Sequence, residues 1–212
     1  MMKLNRRAII ALAAAATAAM TPALAQEAAP ATGTASVTEP KDFTLGSPDA
    51  PVKIVEYASF TCPHCARFHE EAYGKLKAEY IETGKVHFTM REVYFDRYGL
   101  WAALIARCGG EMKYFGIHDM LYSQQKEWAG SEDPMQVVEN LKTIGRAAGL
   151  EDAAMDACLN DKASAEALIK RFQTNFEADG VKGTPTFFIN GTEYSNMAYE
   201  DLKAILDAEL AM

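Results

Sequence analysis

From Pro51 the side chains begin to alternate along the chain. Val52, Ile54 and Glu56 fall on one face and Lys53, Val55 and Tyr57 on the other, a period of two that predicts a strand. Glu56 is out of character on that apolar face, and two readings stay open: an edge or bulge position, or a buried acid with a raised pKa. After Ser59-Phe60-Thr61 the period lengthens. Cys65, Phe68, Ala72, Leu76 and Tyr80 recur every three or four residues, predicting a helix that stops at Thr83-Gly84. Pro63 suits its first turn, where a missing N–H costs nothing. Alternation returns over VHFTMREV, residues 86–93, and strand, helix and strand in that order predict a parallel pair with a right-handed crossover.

Residues 98 to about 179 carry helical patterns only: YGLWAALIARC, MKYFGIHDMLYSQ, PMQVVENLKTIGRAA capped by Asp133, EDAAMDACL and a last run to Ala178. Strand character resumes at Thr186 to Ile189, followed by Asn190-Gly191, a pair that favours a type I′ hairpin, and a returning strand. Leu202, Ile205, Leu206 and Leu210 give a terminal amphipathic helix. Thr184-Pro185, read from the residues alone, is a trans turn before a strand.

The first residues change the chemical setting. MMKLNRR is basic, AIIALAAAATAAM is an apolar run of 13, and Ala23-Leu24-Ala25 is a small-x-small cleavage site, so residues 1–25 read as a secretory signal peptide. The run is too short for a membrane anchor, which needs about 20 apolar residues. Residues 26–41, rich in Ala, Thr and Pro, read as a flexible segment. Removing the signal takes Lys3, Arg6 and Arg7 with it. The remaining 187 residues carry 18 basic and 29 acidic side chains, a net charge of −11 that argues against nucleic acid or an anionic membrane as partner. That length suits one well-buried domain with an insertion.

In an exported chain the stretch FTCPHC gains meaning, because disulfides persist outside the cytosol. Three readings of Cys62 and Cys65 compete: a redox disulfide, half of a metal site, or two core cysteines. Cys62 falls at the helix N-terminus, where free N–H groups and the helix dipole favour an anion, so its thiol ionises readily and is the candidate nucleophile. His64 can stabilise that thiolate further. Cys65, one turn in on the inner face, is placed to resolve a mixed disulfide on Cys62. A zinc site would use Cys62, Cys65 and His69, but it lacks a fourth ligand at a familiar spacing. His87 and His118 read as structural residues.

FTCPHC, Glu56 six residues ahead of Cys62, and VKGTPTFFING, taken in this order, resemble the DsbA family over about residues 42–212. The resemblance implies an α/β thioredoxin fold with an inserted all-helical subdomain: residues 42–97 and 180–212 as the thioredoxin-like domain and 98–179 as the insertion. It implies that Glu56 is a buried acid beneath the cysteines that assists proton transfer. It further implies that Pro185 is a cis-proline facing them and that the backbone of Thr184 pairs with substrate. Similar pairs to Cys108 and Cys158 form a structural disulfide in some branches of the family; the alternative is two free buried cysteines.

The implied activity is thiol:disulfide exchange, chiefly oxidation of reduced, unfolded exported proteins in the periplasm by a Cys62–Cys65 disulfide. A DsbB-like, quinone-linked membrane oxidase would restore that disulfide. The expected state is a monomer that needs no cofactor or metal. The enterobacterial oxidase has valine before the cis-proline, whereas Thr184 is similar to disulfide isomerases, which leaves an isomerase or reductase as one alternative. A non-catalytic binding module of the same fold is another.

Overall fold

The computed structural model describes residues 40–212. The expected signal peptide, and the flexible segment up to residue 39, lie outside the described residues. Five strands form one sheet: β1 (Phe43–Leu45), β2 (Val52–Ala58), β3 (Val86–Glu92), β4 (Thr186–Ile189) and β5 (Thr192–Ser195), in the spatial order β1-β3-β2-β4-β5. β2 is central and runs parallel to β3 and antiparallel to β4, while β1 and β5 are antiparallel additions at the two edges. β1 was not foreseen, since three residues are too few to display a period.

The helix after β2, α1, covers residues 63–81 and is not uniform. It is α-helical at Pro63–Phe68 and Gly74–Leu76, with wider π turns at His69–Tyr73 and Lys77–Ile81. Between β3 and β4 lie α2 (Arg97–Cys108), α3 (Gly110–Ser123), the short α4 (Gln125–Ala129), α5 (Pro134–Ala147), α6 (Asp152–Asn160) and α7 (Lys162–Ala178). The chain ends in α8 (Tyr199–Leu210). Local chemistry sets the helix starts. Asp96, Asp133 and Asp161 each accept a backbone N–H at the N-cap of α2, α5 and α7. At the hairpin tip Asn190 and Gly191 have φ of 45° and 86°, the left-handed pair that a type I′ turn requires.

One face of the sheet buries Val52, Ile54, Phe88, Met90, Phe187 and Ile189 against a core that continues into α1, α3 and α8. Each such side chain contributes about 1.5–3 kcal/mol relative to exposure. The opposite face places Tyr57 and Val93 with Phe172 and Phe176 of α7, so the helical insertion covers the second side of the sheet. Cys108, at the end of α2, is disulfide-bonded to Cys158 of α6, with Cα atoms 6.0 Å apart. Among the described residues no helix is long and apolar enough to cross a membrane.

The fold decides between the two readings of Glu56 in favour of the buried acid, and it replaces the trans turn read from the residues at Thr184-Pro185 by the cis bond that the resemblance implies. Glu56 is neither at an edge nor in a bulge: it holds unbroken register with Met90 on one side and Phe187 on the other and is fully buried. The Thr184–Pro185 peptide bond is cis, not a trans turn. The burial of β4 beside β2 brings this bond to the cysteines, a long-range constraint that a local turn preference cannot contain.

Candidate active site

β2 delivers the chain to Ser59-Phe60-Thr61, and Cys62 caps α1 with extended backbone (φ −78°, ψ 119°). Pro63 follows in the first turn, and Cys65 is fully buried one turn later. Both cysteines are free thiols. The Cys62 thiol donates to the Thr184 carbonyl at 3.5 Å, directly across from the cis peptide bond. Gln125 of α4 holds the loop from behind, its side-chain amide donating to the carbonyls of Phe60 at 2.8 Å and Cys62 at 3.0 Å. Thr61 donates to Asp96 at 2.6 Å and so ties the loop to the start of α2.

The two sulfurs differ sharply. Hydrogen bonding from the Cys65 thiol, with help from the Thr184 side-chain hydroxyl and the backbone N–H groups of Cys65 and His64, lowers the Cys62 pKa to about 5 against the opposing effect of burial. Burial, and then the bond to Cys62, pushes Cys65 far above an ordinary thiol. The His64 ring is exposed. Beneath the pair, burial raises the Glu56 pKa to about 8, with a lowering influence from His118 and a raising one from Cys62. Glu56 is therefore a neutral acid near neutral pH.

Sequence reasoning left His69 as a conditional metal ligand and His118 as a structural residue, and the fold brings both under the cysteines. His69 Nε2 lies 3.4 Å from Glu56 Oε2. The His118 ring is 4.6 Å from that of His69, and His118 Nδ1 is 3.0 Å from Asp119 Oδ1. Among the described residues no group of three or more His, Cys, Asp or Glu side chains could hold a metal ion. His87 pairs in register with Lys53, on the other face of the sheet from Glu56. A groove of about 800 Å³ runs from Pro63 along α1 to α3 and α4, with Ala66, His69, Asp119, Tyr122 and Gln125 in its wall.

An acidic thiol at a helix N-terminus, a second thiol buried beneath it and a neutral carboxyl below both are equipped for thiol–disulfide exchange coupled to proton transfer. Known proteins carry the same arrangement of elements. The family model described as Thioredoxin matches residues 38–208. A Rickettsia bellii protein named as a protein-disulfide oxidoreductase is 35% identical over 198 residues, covering 90% of this chain and 74% of its own length. A Rickettsia felis protein of the same name is 37% identical over 172 residues, which is 80% of this chain and 60% of that protein. The crystal structure of Wolbachia pipientis alpha-DsbA1 superposes with a TM-score of 0.76 at 27% identity, over 81% of this chain and 92% of that one.

Proposed function

The chain belongs to the DsbA family of thioredoxin-fold thiol:disulfide oxidoreductases, and from that premise we propose that it is an exported dithiol oxidase. It passes its Cys62–Cys65 disulfide to reduced, newly translocated proteins in the periplasm. A substrate thiolate attacks Cys62 Sγ, the bond to Cys65 breaks, and Cys65 leaves with the electron pair and takes up a proton. A second substrate thiolate then attacks the substrate sulfur of the mixed disulfide and expels Cys62 as a thiolate. Glu56 supplies the proton that the buried Cys65 needs, and Thr184 meets the substrate backbone beside the cis-proline, Pro185. A DsbB-like, quinone-linked membrane protein reoxidises the monomeric enzyme. The Cys108–Cys158 bridge is structural.

The observation that carries this reading is the inequality of the two sulfurs. A leaving group whose pKa lies near 5 departs readily, and its stabilisation favours the reduced enzyme, which makes the disulfide oxidising. Equilibration of Cys62–Cys65 with glutathione tests it: a potential above about −180 mV supports an oxidase, and one near the −270 mV of thioredoxin rejects it. Threonine beside the cis-proline, in contact with Cys62, favours the second reading, an isomerase or reductase of the same fold. Roles are separated by Cys65→Ser, which is expected to accumulate mixed disulfides on Cys62. Adducts recovered on Cys65 in Cys62→Ser would reverse the assignment.

A further inference from the structure

Glu56 must be reprotonated each time it gives up its proton, and it sits in the middle of the sheet. Neither of its carboxyl oxygens makes a hydrogen bond, and its neighbours in register, Met90 and Phe187, have no ionisable group. The helical layer supplies what the sheet does not. His69 projects from the first π turn of α1 to place Nε2 3.4 Å from Glu56 Oε2, with 4% of its side chain exposed. Both of its ring nitrogens also lack hydrogen bonds. The ring stacks on Tyr122 at 4.0 Å with planes 10° apart, and the residue lines the groove. His69 thus touches the buried carboxyl on one side and lines the groove on the other, with both ring nitrogens covered by the packed side chains.

The surroundings favour transfer over storage. Cys62 and Cys65 from the start of α1, Tyr73 from its own turn, and His118, Asp119 and Tyr122 from α3 are the titratable groups that face this pair. Asp119 is already engaged by His118 at 3.0 Å and by Lys77 at 3.2 Å, which leaves its charge shared at the groove edge. Burial holds the His69 pKa down near 3, so a proton that reaches the ring is passed on and not retained.

We propose that His69 is a positioning residue that relays the proton between Glu56 and solvent in the groove. It touches neither sulfur and acts through Glu56, and it rests on the proton role given to Glu56 above. When the Cys62–Cys65 bond breaks, Cys65 Sγ takes the proton of Glu56. The Glu56 carboxylate then takes the Nε2 proton of His69 as Nδ1 takes one from a water entering from the groove, which leaves His69 neutral in its other tautomer. One proton enters from solvent for each thiolate neutralised, and the reverse sequence serves reoxidation.

The test measures single-turnover opening of the Cys62–Cys65 disulfide by a small dithiol, quenched with acid and read by mass, across pH. His69→Phe keeps a ring on Tyr122 and removes both nitrogens, His69→Ala opens a space beside the groove, and Glu56→Gln tests the premise. Both His69 variants are expected to slow opening by about tenfold or more near neutral pH, with added imidazole restoring His69→Ala and leaving His69→Phe slow. Slow variants that imidazole does not restore would reduce His69 to a packing role and overturn the relay. His69→Phe at the parent rate beside a slow Glu56→Gln would route the proton elsewhere. Glu56→Gln at the parent rate would remove the proton role of Glu56 itself, and the relay with it. Should His69→Ala fail to fold, His69→Gln, which is small and polar but cannot exchange tautomers, takes its place and is expected to be as slow as His69→Phe.

Discussion

Glu56→Gln exchanges a buried titratable carboxyl for its neutral isostere, and it is expected to stabilise the fold while impairing the chemistry. In the native protein the carboxyl has a pKa of about 8 against 4.5 for its ordinary value, with burial as the chief cause. Over that window the folded state holds a proton that the unfolded chain has lost, so stability falls as pH rises from 4.5 to 8 and is constant on either side. Near neutral pH about two and a half of the pKa units are in play, a destabilisation of about 3 kcal/mol that Gln does not suffer. Because the protonated acid and the amide are both neutral and similarly unpartnered, the rest of their burial cost is common to both. The measurement is urea unfolding of the oxidised forms, where Cys62 and Cys65 do not titrate and the minor raising influence of Cys62 on Glu56 is absent, so that about 3 kcal/mol is the upper figure. For a domain of this size the gain corresponds to a rise in Tm of about 6–12 °C, shrinking to nothing as pH approaches 4.5. Equal stability near neutral pH, or a gain that persists unchanged in acid, would refute the account of Glu56 as a buried neutral acid.

Three further outcomes follow from other contacts. The stability of the reduced form relative to the oxidised form is expected to rise with pH, because the Cys62 pKa falls from 9.0 to about 5 on folding. The Cys62 contribution is complete near pH 9 and lost through pH 5, solvent screening at the half-exposed sulfur limits it to about 1–2 kcal/mol near neutral pH, and above pH 9 the raised Cys65 pKa opposes it. Paired melts in glutathione buffers that leave Cys108–Cys158 intact would read it, and a flat difference across the window would contradict the lowered pKa. Replacing Cys108 and Cys158 together by Ala opens a loop spanning a sequence separation of 50 and is expected to cost up to about 4 kcal/mol in chemical unfolding. Gln125→Leu strips the carbonyls of Phe60 and Cys62 of their donor, with an expected loss of about 1–3 kcal/mol. Alkylation of Cys62 should also lose its single-exponential course, and unchanged stability would mean that water replaces the amide without cost.

What could be read from the chain was what depends on neighbours in sequence. The alternation through Val52, Ile54 and Glu56 was enough to put the acid on the apolar face, and the switch of period at Cys62 was enough to place one thiol at a helix terminus and the other inside. What could not be read depends on pairing at a distance. The register Met90–Glu56–Phe187, which removes the edge alternative, exists only once β3 and β4 have found β2. His69 gave only the signal of standing four residues after Cys65, which suits a metal as well as a proton, and its aim at Glu56 follows from a π turn that no residue preference announces. Gln125 stood between two helical patterns without a period of its own, and only its two carbonyl partners reveal why a polar side chain is buried there.

The central place of β2 has a mechanical meaning. The strand that feeds Cys62 is hydrogen-bonded along both edges, and the loop beyond it is pinned by Gln125 and Asp96, so the reactive sulfur stands on a stiff mount with little travel. Displacement of sulfur toward sulfur must then come from the other molecule. A thiol on a slack, unpacked chain can swing into line, whereas one locked in a finished core cannot, so in the proposed exchange the rigidity of this enzyme would make the compliance of its client the selecting variable.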